Sequence, residues 1–237
     1  MRHIFQPFAI VERVLRDRIG YFAEIARGEA LPRKITDLLL VTTLSLAVFG
    51  FVAGWSGRNL AQALISTVKL PFLFLASGVI CLPTLYYFSV LFGSRLRFLQ
   101  TVTLVLTAQT VAAVLALGAA PISLLFLWSG SELMFLVALN TGVLALSAAL
   151  GLIFLVQGAL YIQQAQPPDQ ISFLTWGGLL VKGTFRSLVL LGWSVVYALV
   201  GTQLSYTLRP FFGVPLGGHD FWSNMSDIVA QLFRAAH

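Results

Sequence analysis

The segment V-K-L-P-F-L-F-L-A-S-G-V-I-C-L-P-T-L-Y-Y-F-S-V-L-F-G-S-R-L-R-F, residues 68–98, decides the fold class. From Leu70 to about Phe92 it contains no Asp, Glu, Lys, Arg or His. As a helix, a run of this length crosses the roughly 30 Å hydrocarbon core of a bilayer. Tyr86 and Tyr87, followed by Arg95 and Arg97, mark its exit at an aqueous interface. Pro83 predicts a kink inside it.

Reading outward, comparable runs recur on both sides. Towards the N-terminus a span is expected from Leu38 to Gly54, closed by Trp55 at the interface. Residues 57–69 are too polar to cross and predict a separate interfacial helix. Towards the C-terminus the spans expected are Thr101–Leu127, with a break at Pro121, then Leu133–Leu160 and Ser187–Leu208. The stretch Gln163–Gln170 carries a Pro167-Pro168-Asp169 turn signal, and 171–185 is expected at the interface. The fold class is therefore all-α: a polytopic transmembrane bundle of five spans. It divides into an N-terminal segment (1–36), a five-span domain (37–208) and a tail (209–237).

Composition agrees. Hydrophobic residues make up 58% of the 237 and charged residues 10%, with a mean hydropathy of +0.87. Soluble domains carry about 25% charged residues to wet their surface. Seven of the fifteen Lys and Arg precede the first apolar run. With five spans and the N-terminus inside, eleven cations fall on inner segments and four on outer ones. That split matches the positive-inside rule and predicts a cytoplasmic N-terminus. The cations form no patch of the kind nucleic-acid binding needs, so no nucleic-acid partner is expected. Cys81 is the only cysteine, inside an apolar run, which rules out an intrachain disulfide. The N-terminus is charged and amphipathic for over thirty residues, so no cleavable signal peptide is expected.

Residues 8–27 predict one amphipathic helix, with Phe8, Val11, Leu15, Ile19, Phe22 and Ala26 on its apolar face. Glu12–Arg16 is an i,i+4 pair in the favourable order and Gly28 a natural stop. Three roles compete: lying in the headgroup layer, docking on the protein's own helices, or binding another protein.

Chemistry inside the bilayer would need polar groups there, because they are costly and kept for a reason. No Asp, Glu, Lys, Arg or His falls near the centre of any predicted span. His3, His219 and His237 lie outside the spans, so no helix offers a histidine to a haem and no serine has a base. The sequence holds no H-E-x-x-H, P-loop, dinucleotide or G-x-S-x-G pattern. No enzyme activity, cofactor or metal is expected.

Uncharged polar residues remain. Gln109, Asn140, Gln157 and Gln203 either line a pathway or, as such residues commonly do, bond between helices. Ala138, Gly142, Ala145 and Ala149 form a small-residue stripe on the fourth span, and Ser147/Gly151 and Gly201/Ser205 add small-xxx-small pairs. Such faces serve internal packing or seat a partner subunit.

Residues 68–98 and the closing stretch V-G-T-Q-L-S-Y-T-L-R-P-F-F-G (200–213) resemble an uncharacterised group of bacterial inner-membrane proteins ending in a G-x-Q-x-x-W/Y-x-L-R-P-F-x-G signature. That resemblance implies a multi-pass protein of the bacterial inner (cytoplasmic) membrane, and it implies no activity. The span count and hydropathy resemble, more loosely, the Yip family of five-span proteins that interact with small GTPases, without that family's short N-terminal motifs. In the closing signature, Arg209 and Pro210 end the last helix at the outer interface. Arg209 there is ordinary snorkelling or a docking point for a lipid phosphate. The function expected is a non-catalytic scaffold or accessory subunit whose partners are the lipid bilayer and other membrane subunits. The competing expectation is a transporter or lipid-handling protein using Gln109, Asn140 and Gln203.

Overall fold

The order of elements in the computed structural model is α1 (Gln6–Arg16), α2 (Arg18–Arg27), α3 (Leu31–Gly54), a 3-10 turn (Trp55–Gly57), α4 (Leu60–Leu91), α5 (Phe98–Trp128), α6 (Leu133–Gln164) and α7 (Leu179–Leu208). Residues 6–57, 60–91, 97–164 and 179–208 are described. Among them there is no strand, and four helices are long and apolar enough to cross a membrane: α3, α4, α5 and α6. This is the architecture of a multi-pass membrane protein.

α5 is the axle. A helix apolar all round belongs in a bundle's interior, and Thr103 to Ala113 are buried without interruption. α3 and α6 pack along it, α4 packs on α3, and α7 leans mainly on α4. The approach of α3 to α4 depends on glycine: a Cβ on Gly50 would lie 2.6 Å from the Ser66 carbonyl oxygen. This contact corrects the expectation of a separate interfacial helix at 57–69. Ala63 and Ser66 are buried against α3, and residues 60–69 are the first turns of α4. Likewise α5 runs through Pro121 without the expected break, and α4 runs through Pro71 and Pro83. Interrupting a helix in lipid would strand backbone groups that water cannot reach, so a proline inside a span is tolerated rather than obeyed. Residues 179–185 belong to α7, while 165–178 and the tail lie outside the described residues.

The N-terminal segment is two helices, not one. Asp17 leaves helical geometry and its carboxylate accepts the Gly20 N–H at 3.0 Å, which caps α2. The interruption shifts the helical phase, so the expected apolar face is wrong in part. Leu15 and Ile19 are exposed, whereas Ile10, Val14, Tyr21, Phe22 and Ile25 are buried against the bundle. The Glu12–Arg16 pair forms at 3.3 Å. Gly28 ends α2 at φ +79°, its N–H and that of Glu29 closing on the last carbonyls of the helix.

Candidate functional site

Three polar constellations connect the helices. The first lies between α4, α5 and α7. Gln109 donates from Nε2 to the Phe74 carbonyl (2.5 Å) and to the Tyr197 hydroxyl (2.9 Å), which also meets Ser77 Oγ at 3.2 Å. Trp193 donates to the Cys81 carbonyl at 3.2 Å and its ring lies 5.4 Å from that of Tyr197. Gly78 makes room for the Gln109 amide, which a Cβ there would strike. The cavity beside this node holds about 20 Å³, room for about one water.

The second lies between the turn after α3, α5 and α6. Asn140, fully buried on α6, accepts from Ser123 Oγ at 2.7 Å and faces Ser56 Oγ at 3.4 Å. Ser56 in turn donates to the Ala53 carbonyl at 2.7 Å. Gln109 and Asn140 therefore tie helices together at separate sites. Gln157 accepts from Arg18 at 3.5 Å on the exposed side of α6. Gln203 is exposed on α7, and Arg209 lies outside the described residues.

The third constellation is the one the sequence did not single out. α1, α2 and the first turns of α3 enclose a half-open vestibule of about 680 Å³. Its floor holds Tyr21 and Lys34, both buried. Lys34 donates to Glu24 at 2.8 Å and sits 5.3 Å from the centre of the Tyr21 ring. Arg13 approaches the other Glu24 oxygen at 3.5 Å. The hydrogen bond from Lys34 holds the Glu24 carboxyl below the usual glutamate range. Burial pushes the Tyr21 phenol up to about 12, against the pull of its bond to Thr107 at 3.2 Å. Thr107 spends its own hydrogen on the Thr103 carbonyl, so Tyr21 is the donor in that pair. Gln100 completes the junction. It donates to the Ile25 and Ala26 carbonyls at the end of α2, both at 2.9 Å, while its oxygen caps the Arg97 N–H at the start of α5. The signal for this site was present in the charges of residues 12–37, which read only as a solvated cytoplasmic face. The register that gathers them depends on the Asp17 break.

The small residues divide between two faces. Ser147, Gly151 and Gly158 are buried, and a Cβ on Gly151 would lie 2.5 Å from the Ala108 carbonyl oxygen. Ala138, Gly142, Ala145 and Ala149 are exposed, and a Cβ on Gly142 meets nothing within 4 Å. A Cβ on Gly201 likewise meets open space, and Ser205 is half-buried. The internal seam of α6 thus uses the Ser147/Gly151 side, and the stripe is turned outward.

No protein-family model, curated protein or solved structure matches this chain. The resemblances drawn from residues 68–98 and 200–213, and to the Yip family, gain nothing from these comparisons.

Proposed function

We propose that this chain is a non-catalytic integral membrane protein that acts as a scaffold or accessory subunit of a membrane complex. In this reading α7 is the fifth span, the N-terminus is cytoplasmic, and the membrane is the bacterial inner membrane. The eleven-to-four distribution of cations supports that orientation. The observation that carries the reading is the exposure of Ala138, Gly142, Ala145 and Ala149 on α6. In lipid, helices associate through close backbone approach at small residues rather than through the hydrophobic effect. A stripe exposed among the described residues is free to seat a helix of another subunit. Carrier chemistry would need broken helices and polar groups converging on a cavity at mid-membrane. The continuity of α4 and α5, and the 20 Å³ beside Gln109, give that alternative little support.

The test is isolation in mild detergent from native membranes, with and without Gly142→Leu. A Cβ there meets no described atom within 4 Å, so the monomer should stay folded while a partner helix is displaced. A stoichiometric membrane protein retained by the wild type and lost in the variant supports the reading. Identical composition of both preparations would sink it.

A further inference from the structure

α4 begins at Leu60, well before the span expected from Leu70, and this changes where Lys69 sits. α3 and α4 run antiparallel, with Gly50 against Ser66 and Gly54 against Ala63. Continuing that register places Lys69 level with about residue 47 of α3. At 1.5 Å per residue this is about 12 Å from the level of Trp55 and about 15 Å from that of Asp37. Those two residues flank the apolar run of α3, and the stretch between them, about 27 Å, matches the hydrocarbon thickness of a bilayer. A bilayer with its edges there has Lys69 close to its mid-plane, deeper than the stem can climb back to water.

Lys69 is half-buried and shares a helical stripe with Ile65, Val68 and Phe72, which are 45%, 70% and 60% exposed. An ionised side chain at that depth is costly and calls for an opposite charge. Neutral acceptors can satisfy the three donors of an ammonium, but they leave its charge uncancelled. α3 to α7 contain no Asp or Glu except Asp37, about 15 Å away along the membrane normal. A lipid phosphate stays at headgroup level, outside the hydrocarbon core. A carboxylate held near the mid-plane must come from a group that itself spans the bilayer.

We propose that Lys69 docks the transmembrane helix of another membrane protein, one that carries an Asp or Glu at mid-membrane. Ile65, Val68 and Phe72 pack along that helix and cover the ion pair from lipid. The pair fixes the partner's depth and register, which the small-residue stripe of α6 cannot do alone. The inference deepens the scaffold reading, on which it rests for the existence of a partner subunit, and uses a surface of α4 separate from α6.

The probes are three synthetic leucine-rich transmembrane peptides: one with Asp at its centre, one with Asn there, and one with the Asp two turns nearer an end. Association with the full chain in phosphatidylcholine vesicles is read by energy transfer between labels. The wild type should bind the central-Asp peptide about tenfold more tightly than either of the others, the size of a polar interhelical tie in lipid. Lys69→Leu should erase that preference and Lys69→Arg should keep it. Lys69→Asp should pass the preference to a peptide with a central Lys. Gly142→Leu should leave the preference intact, which separates failure here from failure of the α6 reading. No preference for Asp over Asn in the wild type, or a preference that survives Lys69→Leu, overturns the proposal. A preference that appears only after Asp220→Asn and Asp227→Asn also overturns it, and assigns Lys69 to the carboxylates of the chain's own tail.

Discussion

Two glycines on α6 look alike in sequence and should behave oppositely when changed to alanine. At Gly151 the new methyl would sit 2.5 Å from the Ala108 carbonyl oxygen and 3.1 Å from the Ala112 methyl. The first of these is backbone in the most buried helix of the bundle, so nothing soft can yield and α6 must back away from α5. Overpacking of this kind costs about 1–3 kcal/mol. Alanine's better helix propensity returns about 1 kcal/mol, which leaves Gly151→Ala destabilising by roughly 1 kcal/mol. At Gly142 the methyl meets nothing, so only the propensity gain of about 1 kcal/mol remains and the variant should be the more stable. The difference between them is therefore about 2 kcal/mol. Thermal unfolding of the detergent-solubilised chain, read by retention of the monodisperse species after heating, would measure it. Equal melting temperatures, or a drop for Gly142→Ala in the isolated chain, would refute the assignment of the two faces of α6.

The remaining predictions concern the polar ties. Lys34→Met removes the buried ammonium and leaves Glu24 with Arg13 alone; a loss of about 1.5–3 kcal/mol is expected, as faster hydrogen exchange confined to α1 and α2. Because the folded Glu24 carboxyl titrates below its unfolded value, its contribution is complete above the usual glutamate range and lost as pH falls through the lowered folded value. The melting temperature should thus fall in acid more steeply for the wild type than for Glu24→Gln. Tyr197→Phe removes the hydroxyl that Gln109 reaches and should cost only about 0.6 kcal/mol, the average for such bonds in a bilayer protein, read as a small change in melting temperature. Ser45 Oγ is buried with no hydrogen-bond partner, so Ser45→Ala should be neutral or stabilising by up to about 1 kcal/mol in the same assay.

The membrane class and the positions of the long apolar helices were legible because lipid enforces them: hydropathy reports a solvent requirement that no tertiary contact can override. What misled were residues whose usual meaning assumes water. Pro121 signals a break where freed backbone groups can be hydrated, yet α5 passes through it. The polar run 57–69 reads as too wet to pack, yet Ser66 is buried where Gly50 lets its backbone close in. Conversely, the role of Gln109 as an interhelical tie was readable, because an uncharged amide inside a bundle has few other uses.

The vestibule was illegible for a different reason. Each of its charges, read singly, is an ordinary cytoplasmic cation or its counterion, and a single helix over 8–27 would spread them around a cylinder. The geometry follows from one carboxylate: by capping α2, Asp17 turns the chain, and the turn brings Glu24 onto Lys34 ten residues later in sequence. Gln100 then fixes the end of α2 to the start of α5, so α2 is held by side chains from α3 and α5. A segment tied down this way is not a free arm that samples the headgroup layer. It packs on the bundle through Tyr21, Phe22 and Ile25 and turns Leu15 and Ile19 away from it.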